Sequence, residues 1–345
     1  MDQEKHTINL RSQYLDSINF SGNDCIFTTV CSNIVSCYKV NSLEQRLSTT
    51  YDNDIYLAKL LNGTNILCIS GADSISNPYK ISDTLIVRDI NTDENLFVIK
   101  ESTPIRNCLI WKEHMLITCD RYISLYTWGN GNLPYEKIGS KGTCPNEKGL
   151  CVIDANKKVV VTMGINVGEI AIWNIDSENE SYRTIKAHLG NIECITLSQC
   201  GRYIATCSER NTLIRVFDTI TLKKEYEFRR GSNNVEIFDI AFSHDLKYLS
   251  CVSANSTIHI FHLYKNEEPN KNTKSLLSYL PLSYVTPTYF NSEWSCKQYK
   301  LIDTYPCKCS FDKSGNLHVV SLSRNYYKVT YLEDKFVDEI IHETF

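Results

Sequence analysis

Phe228-Arg229-Arg230-Gly231 puts two adjacent guanidinium groups at the end of a strand-like run. Side chains alternate across a strand, so neighbouring arginines there project to opposite sides. A guanidinium is a planar fork of donors that meets phosphate oxygens in bidentate fashion and keeps its charge at any working pH. Arg229 and Arg230 are thereby suited to anchor one anion each, on either side of a single strand, and both are expected at the surface.

The chain as a whole offers that pair no general help. Formal net charge is −4, so attraction to phosphate must be local, and nothing global draws the molecule to nucleic acid or an anionic membrane. Hydrophobic residues make up 42% and charged residues 22% of the 345 positions, the balance of a globular protein. The N-terminal MDQEKHTINL lacks the apolar core of a signal peptide, and no apolar run approaches membrane-spanning length. A soluble, cytoplasmic chain is expected. Its fifteen cysteines, Cys25, Cys68, Cys207 and Cys251 among them, then read as reduced, buried small hydrophobes. Cys307 and Cys309 lack the two-residue gap of a zinc knuckle, and no histidine pair at metal spacing follows. Neither a metal nor another cofactor is expected. The absence of a nucleophile elbow or a Gly-rich phosphate loop argues against an enzyme.

The elements that must position the arginines repeat. Apolar, β-branched strands of one type occur at residues 35–40, 85–90, 123–128, 170–175, 213–218, 258–263 and 327–332. The fourth to sixth recur at intervals of about 44 residues, the blade period of a WD-type β-propeller. In the best-preserved unit, strands at 191–197, 202–207, 212–218 and 223–228 are separated by short turns, and the next unit repeats it at 238–242, 248–252 and 257–262. Seven such repeats predict an all-β, seven-bladed propeller filling residues 1–345 as one domain.

One interval is too long. Residues 264–302 form an extended loop in blade six, opening with a polar run and continuing into Leu276, Leu277, Tyr279, Leu280, Leu282 and Tyr284. Pro281 and Pro287 prevent one continuous helix or central strand there. So long and so apolar an insertion is expected to be functional, and its last part, residues 289–302, to pack against the propeller and lead into the final blade.

Between blades five and six, Phe228-Arg229-Arg230-Gly231 resembles the signature of the PROPPIN family, the phosphoinositide-binding seven-bladed propellers of autophagy. Lys148-Gly149-Leu150-Cys151, Ala187-His188, Ala205-Thr206-Cys207-Ser208, the run from Asn211 to Asp218, and Ser292-Glu293-Trp294-Ser295 also fit that family's pattern. The resemblance implies two rim pockets for phosphatidylinositol 3-phosphate and the 3,5-bisphosphate. The matching positions of the first are His188, Ser208, Arg210, Thr212, Arg215 and Arg229; those of the second are Arg230, Ser232, Ser253, Asn255, Thr257 and His259. Arginines supply charge, and hydroxyls and imidazoles supply short donors. Asn211 stands where members usually carry Gly, and Ala254-Asn255-Ser256 replaces the usual turn, so the second pocket is the less secure.

The family likeness further implies a peripheral membrane protein, monomeric in solution. It would be recruited to autophagosomal precursor, endosomal or vacuolar membranes by both pockets and by insertion of the blade-six loop. Blades two and three would recruit autophagy protein partners, with Arg106 in the corresponding stretch. The competing class is a generic WD-type scaffold that binds only proteins; it explains the blades and neither the arginine pair nor the loop.

Overall fold

The computed structural model describes residues 14–21, 26–61, 63–71, 82–111, 114–128, 134–154, 156, 158–175, 182–263, 272, 292–332 and 335–345. Among the described residues every regular element is a strand. Blade one is β1–β4 (Ser17–Phe20, Ile26–Cys31, Ile34–Lys39, Gln45–Thr50), and blade two is β5–β8 (Ile55–Leu60, Ile66–Gly71, Thr84–Asp89, Glu94–Lys100). Blade three is β9–β12 (Ile105–Trp111, His114–Cys119, Tyr122–Trp128, Tyr135–Gly142), and blade four is β13–β16 (Cys151–Ile153, Val159–Met163, Glu169–Asn174, Tyr182–Lys186). Blade five holds β17–β20 (Ile192–Leu197, Tyr203–Ser208, Leu213–Asp218, Lys224–Arg229), and blade six begins with β21–β23 (Ile237–Phe242, Tyr248–Ser253, Thr257–His262). After the insertion come β24 (Glu293–Trp294) and β25 (Lys297–Lys300), then blade seven, β26–β29 (Cys307–Phe311, Leu317–Ser321, Asn325–Leu332, Lys335–Thr344).

The seven landmark strands of the sequence are β3, β7, β11, β15, β19, β23 and β28, the third strand of each blade. They stand out because a blade is sandwiched between two neighbours and buries both faces of its inner strands, which removes the polar alternation of a half-exposed sheet. In β19, Ile214 and Val216 pack towards blade six while Phe217 packs towards blade four. Each boundary between neighbouring blades has its own apolar cluster, seven in all. The first strands β1, β5, β9, β13, β17, β21 and β26 touch in a closed circuit around a central cavity of about 410 Å³. The architecture is a seven-bladed β-propeller.

Among the described residues each blade, β24 apart, is cut from its own stretch of chain, and blades seven and one exchange no strand. Their seam closes by packing: Leu15 N–H donates to the Leu322 carbonyl (2.7 Å), Tyr14 stacks on Tyr305 (4.8 Å between centroids), and the Phe345 ring meets Phe27. Twelve of the fourteen described cysteines are buried, and no disulfide joins any two of them.

Blade six departs from what the sequence suggested. Its fourth strand is β25, paired with β23 through His259↔Gln298 and Thr257↔Lys300, so the insertion lies between the third and fourth strands. Residues 289–302 therefore include a regular blade strand as well as a cover. The cover is β24, which adds to blade five in parallel to β20, with Phe228 opposite Glu293 and Arg229 opposite Trp294.

Candidate functional site

Strand β20 sorts the tetrapeptide by side. Phe228 faces blade six, where its ring stacks on Phe261 (4.9 Å). Arg229 pairs with Leu213 across the sheet and faces the other way, towards blade four; Arg230 follows the strand end and turns to blade six. The opposite-side reading holds. The surface reading does not: Arg229 is 1% and Arg230 3% exposed. Trp294 lies over the Arg229 guanidinium (5.9 Å to the ring centroid), and backbone carbonyls enclose that of Arg230.

On the blade-four side, the two-residue period of β18 and β19 sets Thr206, Ser208 and Arg215 on the face of Arg229. Arg215 Nε donates to Glu227 Oε2 (3.0 Å), and its Nη1 donates to the Ala187 carbonyl (2.7 Å). Glu227 also accepts from Lys224 (2.7 Å) and Ser292 (3.1 Å). Burial alone would raise the Glu227 carboxyl, but Lys224 and Arg215 hold it below the usual carboxylate range. The buried His188 ring meets Thr206 Oγ1 at 2.9 Å; burial first, then the Arg215 charge, push its pKa down to about 4. Thr212 is half-buried and Arg210 is exposed on the adjoining turn. All six residues assigned to the first pocket thus lie on or beside one face of blade five.

On the blade-six side, Arg230 Nε and Nη2 donate to the Asn211 carbonyl (3.0 and 2.7 Å), and Nη2 also reaches the carbonyls of Asn233 (2.5 Å) and Val235 (3.0 Å). Asn211 holds this arrangement from a left-handed backbone (φ 52°). Its side chain donates to the Glu209 carbonyl (2.8 Å) and accepts from the Ile237 N–H (3.1 Å). The Asn211 side chain is thereby a bracket between blades five and six. Ser253 is fully buried, and its hydroxyl has no partner among the described residues. His259 Nδ1 meets Ser295 Oγ at 3.2 Å, and Gln298 donates to the same hydroxyl (3.0 Å). Burial, and after it the Arg230 charge, lower the His259 pKa to about 4. Thr257 Oγ1 bonds the Asn255 carbonyl (3.1 Å), and Asn255 and Ser232 lie exposed on turns at the same end.

Glu227, Thr206, Trp294 and Ser295 belong to these clusters and were given no role from sequence. Alternation along β20 places Glu227 on the face of Arg229, and Ser292-Glu293-Trp294-Ser295 already stood out as a stretch of family pattern. Leu276, Leu277, Tyr279, Leu280, Leu282 and Tyr284 lie outside the described residues. Arg106 is half-buried at the start of β9 and paired with Asp120 (2.5 Å), a largely satisfied charge. Among the described residues no group of three or more His, Cys, Asp or Glu side chains could hold a metal ion.

A family model described as PROPPIN matches residues 140–292, the segment that carries both clusters. SVP1-like protein 2 of Neurospora crassa is 28% identical over 246 residues, 71% of this chain and 55% of its own. Autophagy-related protein 18e of Arabidopsis thaliana is 28% identical over 249 residues, 63% of this chain and 62% of its own. The chain thus spans between half and two thirds of the length of these curated relatives. Among solved structures, Hsv2 of Kluyveromyces marxianus superposes with a TM-score of 0.74 at 21% identity, over 96% of this chain and 97% of that one. KlAtg21 in complex with the coiled coil of AgAtg16 gives 0.72 at 18%, over 96% and 99%. The solved structures carry the fold, and the matched segment and the curated relatives beside them make this chain similar to the PROPPIN family.

Proposed function

We propose that this protein is a phosphoinositide-dependent peripheral membrane adaptor acting in autophagy and in endosomal or vacuolar traffic. It takes phosphatidylinositol 3-phosphate and 3,5-bisphosphate at two places. The observation that carries this reading is the division of Arg229 and Arg230 between two separate polar clusters, one on each side of β20. In the first, Arg215 and Arg229 bring positive charge, His188, Ser208 and Thr212 bring short donors, and exposed Arg210 meets the anion first. In the second, Arg230 Nε and Nη2 are committed to carbonyls, so Nη1, the partnerless Ser253 hydroxyl and the His259 ring are what a phosphate would engage. That commitment makes the second site the weaker.

The blade-six insertion, with Leu276, Leu277, Tyr279, Leu280, Leu282 and Tyr284, supplies the acyl-chain contact. Two or three such side chains contribute about 3–6 kcal/mol before ordering costs. Two headgroups and an insertion act as linked contacts, raising avidity by about 10² or more over one headgroup. Blades two and three remain for a protein partner, and the coiled coil held by KlAtg21 is the kind of partner to try.

Calorimetry with a soluble phosphatidylinositol 3-phosphate headgroup is expected to give about two sites per chain. Arg229→Gln removes the stronger and leaves the other near its original affinity; Arg230→Gln removes the weaker. A folded wild type that binds no headgroup overturns the lipid reading in favour of a protein-only scaffold. One site lost with either arginine means that both clamp a single anion. Replacing Leu277, Tyr279 and Leu280 with Ser weakens vesicle binding and spares headgroup binding; a parallel loss of both would assign the loop to the folded core.

A further inference from the structure

We infer that Ile165, Val167 and Leu189 form a second bilayer contact, on the blade-four flank of the first headgroup site and separate from the blade-six insertion; this rests on the lipid reading above. Leu189, 82% exposed, is the most exposed large apolar side chain among the described residues, and Ile165 and Val167 are 67% and 44% exposed. Isolated apolar residues on a surface are ordinary. These three occupy two adjoining connections, the turn between β14 and β15 and the link from β16 to β17. The Gly168 carbonyl accepts from both the Ala187 N–H (2.9 Å) and the His188 N–H (3.0 Å). Gly168 has φ +75°, and a Cβ there would lie 2.2 Å from the His188 carbonyl oxygen, so only glycine lets the two connections meet this closely. The patch is built into the fold.

Its position follows from the topology. In each blade the turn between second and third strands, and the link from the fourth strand to the next blade, lie at one end of the sheet. Leu189 follows His188; Arg230 and Ser232 lie at that same end in the link between blades five and six, and Asn255 in the β22–β23 turn of blade six. The blade-six insertion leaves β23 from the opposite end. An edge-on bilayer touching both arginine clusters therefore meets Leu189 in line with them.

The surrounding charges suit a lipid surface. The Glu169 carboxylate is turned onto the Asn166 amides (3.2 and 3.1 Å), and Glu209 accepts from Asn191 (2.9 Å). Arg210, next to Glu209, is exposed and makes no ion pair with the described residues. Aliphatic side chains with a cation at their margin are the pattern of an interfacial anchor.

The test uses the full chain and phosphatidylcholine vesicles with or without phosphatidylinositol 3-phosphate. Ile165→Ser with Leu189→Ser is expected to lower affinity for the phosphoinositide vesicles about tenfold or more while leaving calorimetric headgroup affinity and thermal unfolding unchanged. Leu189→Trp is expected to raise vesicle affinity, because indole favours the interface. Unchanged vesicle affinity in the serine double variant, with Arg229→Gln still losing binding, overturns the contact and leaves the lipid reading standing; the patch then serves a protein. Headgroup affinity that falls in parallel makes the patch part of the pocket and also overturns it. Wild type that ignores phosphoinositide vesicles overturns both readings.

Discussion

His188 and His259 are held neutral in the fold because their clusters are dry and each lies near an arginine charge. Each titrates at about 4 when folded, against 6.5 in the open chain, so between those values the unfolded state binds more protons. Their contribution is fully present above pH 6.5 and is lost as pH falls towards 4, by up to about 3 kcal/mol per histidine. Urea unfolding of wild type from pH 7 to pH 4.5 is expected to show falling stability, and the double variant His188→Asn with His259→Asn a much flatter dependence. An equal slope in the variant would assign the loss to other groups. Asp312, lowered to about 2 by His318 and Asn316 against the pull of burial, releases its own share only below the ordinary Asp value of 3.8.

The turn between β18 and β19 turns on one residue, Asn211. Glycine would sit more comfortably at φ 52°, yet it would drop the bonds to the Glu209 carbonyl and the Ile237 N–H. Asn211→Gly is expected to lower stability by about 1 kcal/mol, read from the urea midpoint at unchanged slope. No change would mean that backbone relief cancels the lost bracket. The same segment marks how far sequence reasoning reaches. Third strands such as Leu213–Asp218 were legible because burial on both faces leaves apolar runs, and the division of Arg229 from Arg230 was legible because a strand alternates by geometry. Their burial was not: the Arg230 clasp draws on carbonyls at Asn211, Asn233 and Val235, and any residue supplies a carbonyl. Strand β24 was hidden too, since two residues, Glu293 and Trp294, carry no period.

At the scale of the ring, six blade boundaries are joined by continuous chain, and the boundary between blades seven and one is held by side-chain packing and a few hydrogen bonds such as Leu15 to Leu322. Contacts so far apart in sequence are costly to form early in folding. Leu15→Ala, which hollows the seam, is expected to speed unfolding about tenfold or more with little change in the folding rate, measured by stopped-flow fluorescence. A matching drop in the folding rate would place the seam in the transition state. A ring with one uncovalent joint also has a cheaper way to open than complete unfolding. Amide protons of β1 and β26 should then trade with solvent deuterium through a partial opening, while those of β18 and β19, far round the ring, wait for the global event. The arc bearing the arginine pair would outlast the clasp that closes the circle.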